Sequence, residues 1–308
     1  MDRIDAPARR AVHSIDHYAL TVPDLDQAAH FLDAFGLHVE RVDGRLDVYA
    51  ADGHCWARFY PGERKQLAYL SLSCHAADFD GLRTQLEREG ATLLDGARYG
   101  GDGIWCHDAD GNLLQVKVGP KTSPDAKSPV SHAVAPGGQR GAAMRSRVAK
   151  VHPRRLSHVL LFSPDVPRIV AFYERALGLR LSDRSGDIIA FTHTPHGSDH
   201  HLIAFAHSGA RGWHHAAWDV ASVNEVGQGA TQMANAGYTR GWGTGRHVLG
   251  SNYFFYVLDP WGSFCEFSAD IDHIPAGVDW PAGDFPPEDS LYQWGPDVPD
   301  YFIHNTEA

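Results

Sequence analysis

The stretch IDHYALTVPDLDQAAHFLDAFGLHVE, Ile15 to Glu40, returns with altered side chains as LSHVLLFSPDVPRIVAFYERALGLRL, Leu156 to Leu181. His17 falls on His158, Pro23 on Pro164, Asp24 on Asp165 and Phe31 on Phe172. Each copy opens with a strand-like alternation that puts every second side chain on one face. A Pro-Asp turn then starts an amphipathic helix that ends near a Gly-Leu. Farther along, HDADGNLLQVKV from His107 matches LDPWGSFCEFSA from Leu258, each with an Asp-x-x-Gly turn between two extended segments. Gly111 aligns with Gly262, and Gln115 with Glu266. Between these landmarks each copy has a further strand and helix, LAYLSLSCHAADFDGLRTQLEREG and HHAAWDVASVNEVGQGATQMANAG. One unit of strand, helix and several strands is therefore written twice, and the chain is expected to be an α+β protein of two tandem domains.

The bulk composition fits that expectation. With 308 residues and 43% hydrophobic content, the chain can bury a large core and divide into about two domains. The stretch from Gly119 to Arg155 is rich in Pro, Gly, Ser and Arg and poor in large apolar residues, as a linker is. The expected boundaries are 1–120 for the first domain, 121–153 for the linker, 154–275 for the second domain and 276–308 for a tail. Pro-rich and aromatic, the tail has neither helical nor strand period and is expected to pack over a domain in extended form, as a lid could. A formal net charge of -11 argues against a nucleic-acid surface, which needs clustered Lys and Arg. No apolar run approaches the roughly 20 residues of a membrane span, and MDRIDAPARRAVHS has no apolar signal segment. The expected partner is a small molecule and the expected setting cytoplasmic. Four cysteines, Cys55, Cys74, Cys106 and Cys265, form no C-x-x-C pair and are expected to be reduced thiols.

Twenty histidines invite a search for a site, because imidazole is both a metal ligand and a near-neutral acid or base. Three ligand-capable residues fall on strand-like segments of the second half: His158 in RLSHVLLF, His215 in WHHAAWDV and Glu266 in FCEFSAD. Two imidazoles and a carboxylate on three strands of one curved sheet could occupy one face of an octahedron. The adjacent positions left open are what a non-haem iron needs to hold a chelating substrate and dioxygen. Taken alone, His158 reads better as a core histidine satisfied by one hydrogen bond. The repeat favours the site: the matching first-half positions are His17, Tyr69 and Gln115, so only the second half has all three ligand types. His214 and His215 are neighbours on a strand and are expected to face opposite ways, with His215 turned to the metal.

The run GRHVLGSNYFFYVLDPWGSFCE, Gly245 to Glu266, resembles the signature of type I extradiol dioxygenases of the vicinal oxygen chelate superfamily at each fixed position: the glycine, His247, Phe255, Tyr256, Asp259, Pro260, Gly262 and Glu266. The resemblance implies two tandem vicinal-oxygen-chelate domains, each of paired βαβββ modules forming a curved, open, barrel-like sheet. It implies one iron(II) per chain, manganese(II) being the less favoured metal, held by His158, His215 and Glu266. It also implies a homo-oligomer. Its activity would be extradiol cleavage of a catechol-type diol by dioxygen, giving a muconic semialdehyde-type product in aromatic degradation.

The same resemblance places the acid-base histidine at His201 in HLIAF, with His200 the weaker candidate. Tyr256 would hydrogen-bond a substrate oxygen and His247 would orient or stabilise the same group, the alternative for all three being support of the ligands. Trp242, Leu160 and His193 are candidate pocket residues, and Asp259 reads as a turn residue. Two other readings use the same fold: a metal-dependent glyoxalase-like isomerase or lyase, and a metal-free ligand-binding protein. A ligand set complete within one half favours the oxygenase over the first, and the intact triad disfavours the second.

Overall fold

A computed structural model describes residues 10–94, 98–131 and 134–308. Residues 1–9, at the start of the expected first domain, and 132–133, in the expected linker, lie outside the described residues. The first half runs β1 (Val12–Val22), α1 (Leu25–Phe35), β2 (His38–Val42), β3 (Arg45–Tyr49) and β4 (Cys55–Pro61). It continues with β5 (Gln66–Cys74), α2 (Phe79–Arg88), β6 (Leu93–Leu94), β7 (Ile104–His107) and β8 (Leu113–Val118). In the second half come β9 (Arg155–Ser163), α3 (Val166–Leu177), β10 (Arg180–Ser185), β11 (Ile189–His193), β12 (Ser198–Asp199) and β13 (Ile203–His207). Then follow β14 (Gly212–Asp219), α4 (Val223–Asn235), β15 (Gly241–His247), β16 (Tyr253–Leu258) and β17 (Phe264–Ala269). The tail adds β18 (His273–Ile274), β19 (Gly283–Asp284) and β20 (Tyr292–Trp294).

Each half is thus two βαβββ units, and the fold is the two-domain vicinal oxygen chelate architecture. The eight-stranded first sheet has the order β2-β3-β4-β1-β5-β8-β7-β6, and the ten-stranded second sheet β19-β10-β11-β13-β9-β14-β17-β16-β15-β20. At the centre of each sheet the leading strands of its two units pair antiparallel, β1 with β5 and β9 with β14. The last strand of each unit returns parallel to its first, as β4 to β1 and β17 does to β14. Neither sheet closes into a barrel.

The repeated Pro-Asp and Gly-Leu landmarks have local causes. Asp24 caps α1 by accepting from the amides of Asp26 and Gln27, and Asp165 caps α3 by accepting from that of Arg168. Gly36 and Gly178 end these helices at φ of 103° and 71°, a left-handed turn that glycine adopts without strain. A Cβ at Gly36 would collide with the carbonyl of Val151, and one at Gly178 with the backbone of Arg10, so both turns also permit close approach of another segment.

One apolar cluster spans both halves. Phe35 of α1 stacks on Phe267 of β17 at 3.8 Å between ring centroids, and Tyr18 of β1 meets Trp213 of β14 at 4.5 Å. Between the sheets the described residues from 119 to 154 are irregular apart from one 3-10 turn at Arg145–Arg147. The tail pairs β19 with β10 and β20 with β15, and drives Phe302 in among Trp242, Tyr256 and Phe264.

Candidate metal centre and active site

The register of β9, β14 and β17 aims three side chains at one point. His158 and Glu266 both pair with Ala217 of β14, one from each side, and His215 lies two residues earlier on the same face of that strand. Glu266 Oε2 stands 3.4 Å from His158 Nε2 and 3.5 Å from His215 Nε2. One ligand atom from each lies within 4.8 Å of the others, the one such cluster found among the described residues. His215 Nε2 and Glu266 Oε2 are buried and have no hydrogen-bond partner. Burying such groups unpaired costs roughly 1–3 kcal/mol each. A divalent cation between the three would satisfy both, so the residues present fit a metal.

A chain of hydrogen bonds behind each histidine leaves its Nε2 bare. Ser157 donates its hydroxyl to Asp199 (2.8 Å) and accepts from His158 Nδ1 (3.2 Å), which puts the His158 proton on Nδ1. His214 Nε2 donates to the carbonyl of Phe302 at 2.7 Å; its Nδ1 accepts from His215 Nδ1 at 2.6 Å. The lone pair of His215 is therefore on Nε2, facing Glu266. Burial, then the neighbouring His214 and His158, holds the His215 pKa well below the ordinary value, so the ring stays neutral as a ligand must be. Asn252 Nδ2 donates to Glu266 Oε1 at 2.9 Å and fixes the carboxylate.

The same device serves His201. Asp183 accepts from His200 Nε2 at 2.7 Å, and His200 Nδ1 accepts from His201 Nδ1 at 3.0 Å. What remains to His201 is its Nε2, on a ring that lines the cavity and lies 3.9 Å from the His158 ring. Burial above all lowers its pKa well below the ordinary value, with the surrounding histidines adding to the effect. His247 Nδ1 donates to the carbonyl of Leu291 at 2.7 Å, and its Nε2 accepts from the Tyr256 hydroxyl at 3.0 Å. Burial, then Glu266, pushes the Tyr256 pKa well above its ordinary value, so it is a phenol at any working pH.

The six candidate residues thus gather in one place, five of them lining a cavity of about 390 Å³ with Glu266 buried beneath. The far wall is apolar, built from Leu160, Phe162, Phe191, Leu249, Leu291 and Phe302. No Lys, Arg, Asp or Glu lines it among the described residues. Leu160 is where a pocket residue was expected, but Trp242 and His193 are not. Trp242 stacks behind Tyr256, with ring centroids 5.5 Å apart, and His193 is turned to the hydroxyl of Ser182. His214 does not turn away as strict alternation requires. The register shifts between Trp213 and His215, and both rings line the cavity. Asp259 is a turn residue, accepting from the amides of Trp261 and Ser263.

Asp183, the Ser157–Asp199 pair and the carbonyls of Leu291 and Phe302 carry no signal in the sequence, because each partner comes from a distant segment with no motif of its own.

The chain is similar to known proteins over the span that holds this site. A family model described as the Glyoxalase/Bleomycin resistance protein/Dioxygenase superfamily matches residues 155–267, the span that holds the site. The chain is 72% identical to metapyrocatechase 2 of Cupriavidus necator, with 99% of this chain and 97% of that protein covered. Among solved structures, the Mn(II)-bound glyoxalase from Novosphingobium aromaticivorans is 26% identical with a TM-score of 0.76, covering 96% of this chain and 95% of that one. The 2,2',3-trihydroxybiphenyl 1,2-dioxygenase from Sphingomonas wittichii is 20% identical with a TM-score of 0.72, covering 94% and 100%.

Proposed function

The chain belongs to the metapyrocatechase family of extradiol ring-cleaving dioxygenases, and from that premise we propose that it opens a neutral catechol ring at a single iron(II) held by His158, His215 and Glu266. The observation that carries this reading is the trio itself, with its ligand atoms within 4.8 Å and two of them buried without a partner. Two imidazoles and one carboxylate suit non-haem iron and leave neighbouring positions free. Bound there, the metal would supply a template for the two catechol oxygens and dioxygen, and a path for electrons between them.

The protein's own residues bind, orient and move protons. His201 takes a proton from a catechol hydroxyl on Nε2, the nitrogen that its bond to His200 leaves bare, and returns it later in the reaction. Asp183 and His200 hold that ring in place and fix its tautomer. Tyr256, whose hydrogen is engaged by His247, turns its oxygen lone pairs to the cavity and accepts from the second hydroxyl. Leu160, Phe191 and Leu249 receive the ring and exclude water, and a wall without charge favours a neutral catechol over an acidic one. Both atoms of dioxygen enter a product that carries a new carboxylate.

The metal-free first domain is assigned to 1–120, the linker to 121–153, the metal-binding domain to 154–275 and the covering tail to 276–308. A homo-oligomer and a cytoplasmic setting belong to the same reading and rest on the family. No helix among the described residues is long and apolar enough to cross a membrane.

Anaerobic loading with iron(II), followed by catechol in an oxygen electrode, tests the proposal. One dioxygen consumed per catechol, with a yellow product, is the expected result. Conversion without oxygen uptake would instead favour a glyoxalase-like isomerase, and tight catechol binding with no turnover would favour a sequestering protein.

A further inference from the structure

The first half has its own cavity, about 550 Å³, at the place that corresponds to the catalytic one. Across β1 and β4, Ala19 pairs with Arg58 as Leu160 pairs with Ala204 across β9 and β13. A guanidinium thus stands in the first half where the catalytic half has a methyl group behind Leu160 and Phe191. His17, Tyr69 and Gln115 hold the ligand positions but are spent on other bonds. His17 Nδ1 donates to Asp16 at 2.6 Å, and its Nε2 accepts from the Tyr69 hydroxyl at 2.8 Å. Gln115 accepts from Ser71 and donates to the carbonyl of Asp102, both at 2.7 Å. None of these three is left over for a metal, and what the cavity offers instead is positive charge.

Among the described residues that line this cavity, Arg58 is the cation without a carboxylate of its own. Its closest carboxylate, Asp47, is 3.8 Å from Nε and is already held by a two-pronged pair with Arg45 at 2.7 and 3.1 Å. Arg58 Nε is buried with no hydrogen-bond partner, and Nη1 reaches only Tyr69 at 3.5 Å. Lys117, the other cation on the wall, is neutralised by Asp16 at 3.0 Å. The one unspent guanidinium among the described lining residues matches one unit of negative charge, and its planar fork matches a carboxylate better than a tetrahedral anion of higher charge. Tyr99, packed 5.1 Å from Tyr69 and with the exposed Arg98 guanidinium 5.6 Å from its ring centroid, adds a flat aromatic ring to the cavity wall. Among the described residues, the loop that carries it brings one opposing group to the lining, the exposed carboxylate of Asp102.

We propose that the first-half cavity is a second ligand site, which takes small planar carboxylates by pairing their charge with Arg58 and their unsaturated body with Tyr99. It is separate from the catalytic cavity and does not depend on the reaction assigned there.

The test is calorimetric titration of benzoate into the iron-loaded protein, held anaerobic and saturated with catechol so that the catalytic cavity is filled. One benzoate should bind per chain, and neutral benzamide should bind about tenfold or more weakly. Arg58→Gln should weaken benzoate by about ten- to a hundredfold and leave catechol turnover unchanged. Asp102→Asn should tighten it. The proposal is overturned if benzoate fails to bind, if benzamide binds as well, or if Arg58→Gln keeps full affinity. Should Arg58→Gln not fold, benzamide and Asp102→Asn decide alone: equal affinity for both ligands, or no gain from Asp102→Asn, rejects the site.

Discussion

At the scale of single residues, the site works through which nitrogen of each histidine carries the proton. Asp183 and His200 set this for His201, Ser157 and Asp199 for His158, and His214 for His215. His201→Asn should keep iron bound yet lower the turnover number by about 10²–10⁴, the usual worth of a positioned acid-base group. Metal analysis beside an oxygen-electrode assay checks this, and unchanged turnover would remove His201 from the proton path. The three metal-ligand candidates were legible in the sequence because a ligand set is complete in one copy and degenerate in the other, whereas His201, His247 and Tyr256 rested on the family resemblance alone. The residues that set the tautomers were not legible. Asp183 lies on β10, 17 positions before His200 in the link between β12 and β13, and looks like any other strand carboxylate.

Among elements, the strands and helices followed from period and caps, but their deviations from regularity did not. Alternation on β14 placed His214 on the far face, whereas the bulge beside it keeps both rings on the cavity. Composition placed the tail over a domain without revealing that its backbone completes the site through the carbonyls of Leu291 and Phe302. Ending the chain after Ser290 should therefore cut turnover by at least about a hundredfold, the scale of losing positioned groups, while circular dichroism retains the sheet signal. Full activity in that truncation would reduce the tail to a cover. Removing the cap of α3 with Asp165→Ala should cost about 1 kcal/mol in urea denaturation with an unchanged slope. No loss at all would mean that its bond to the amide of Arg168 contributes nothing.

The two halves share one core, a property of the whole molecule that the repeat alone did not foretell, because self-similar units can as well hang on a linker as beads. Phe35 on Phe267 and Tyr18 against Trp213 join them. Neutral histidines buried in that body make its stability depend on acid. Burial brings His13 and His193 down to about 4, assisted by His75 and His196 at the first and His200 at the second. Each takes up its proton near 6.5 when unfolded, so the stabilisation is complete above that pH and is lost as pH falls from about 6.5 to about 4. Midpoints of urea denaturation should fall over this window, and less steeply in His13→Gln. Equal profiles for the variant and the parent would show that His13 is not one of the titrating groups.

The central claim is that His158, His215 and Glu266 form one metal site in the second half and that the first half has none. The direct test is iron content after anaerobic loading and desalting, measured for the parent chain and for Glu266→Ala. The account predicts one iron per chain in the parent and almost none in the variant. Iron retained at full stoichiometry by Glu266→Ala, or two irons per parent chain, would contradict it.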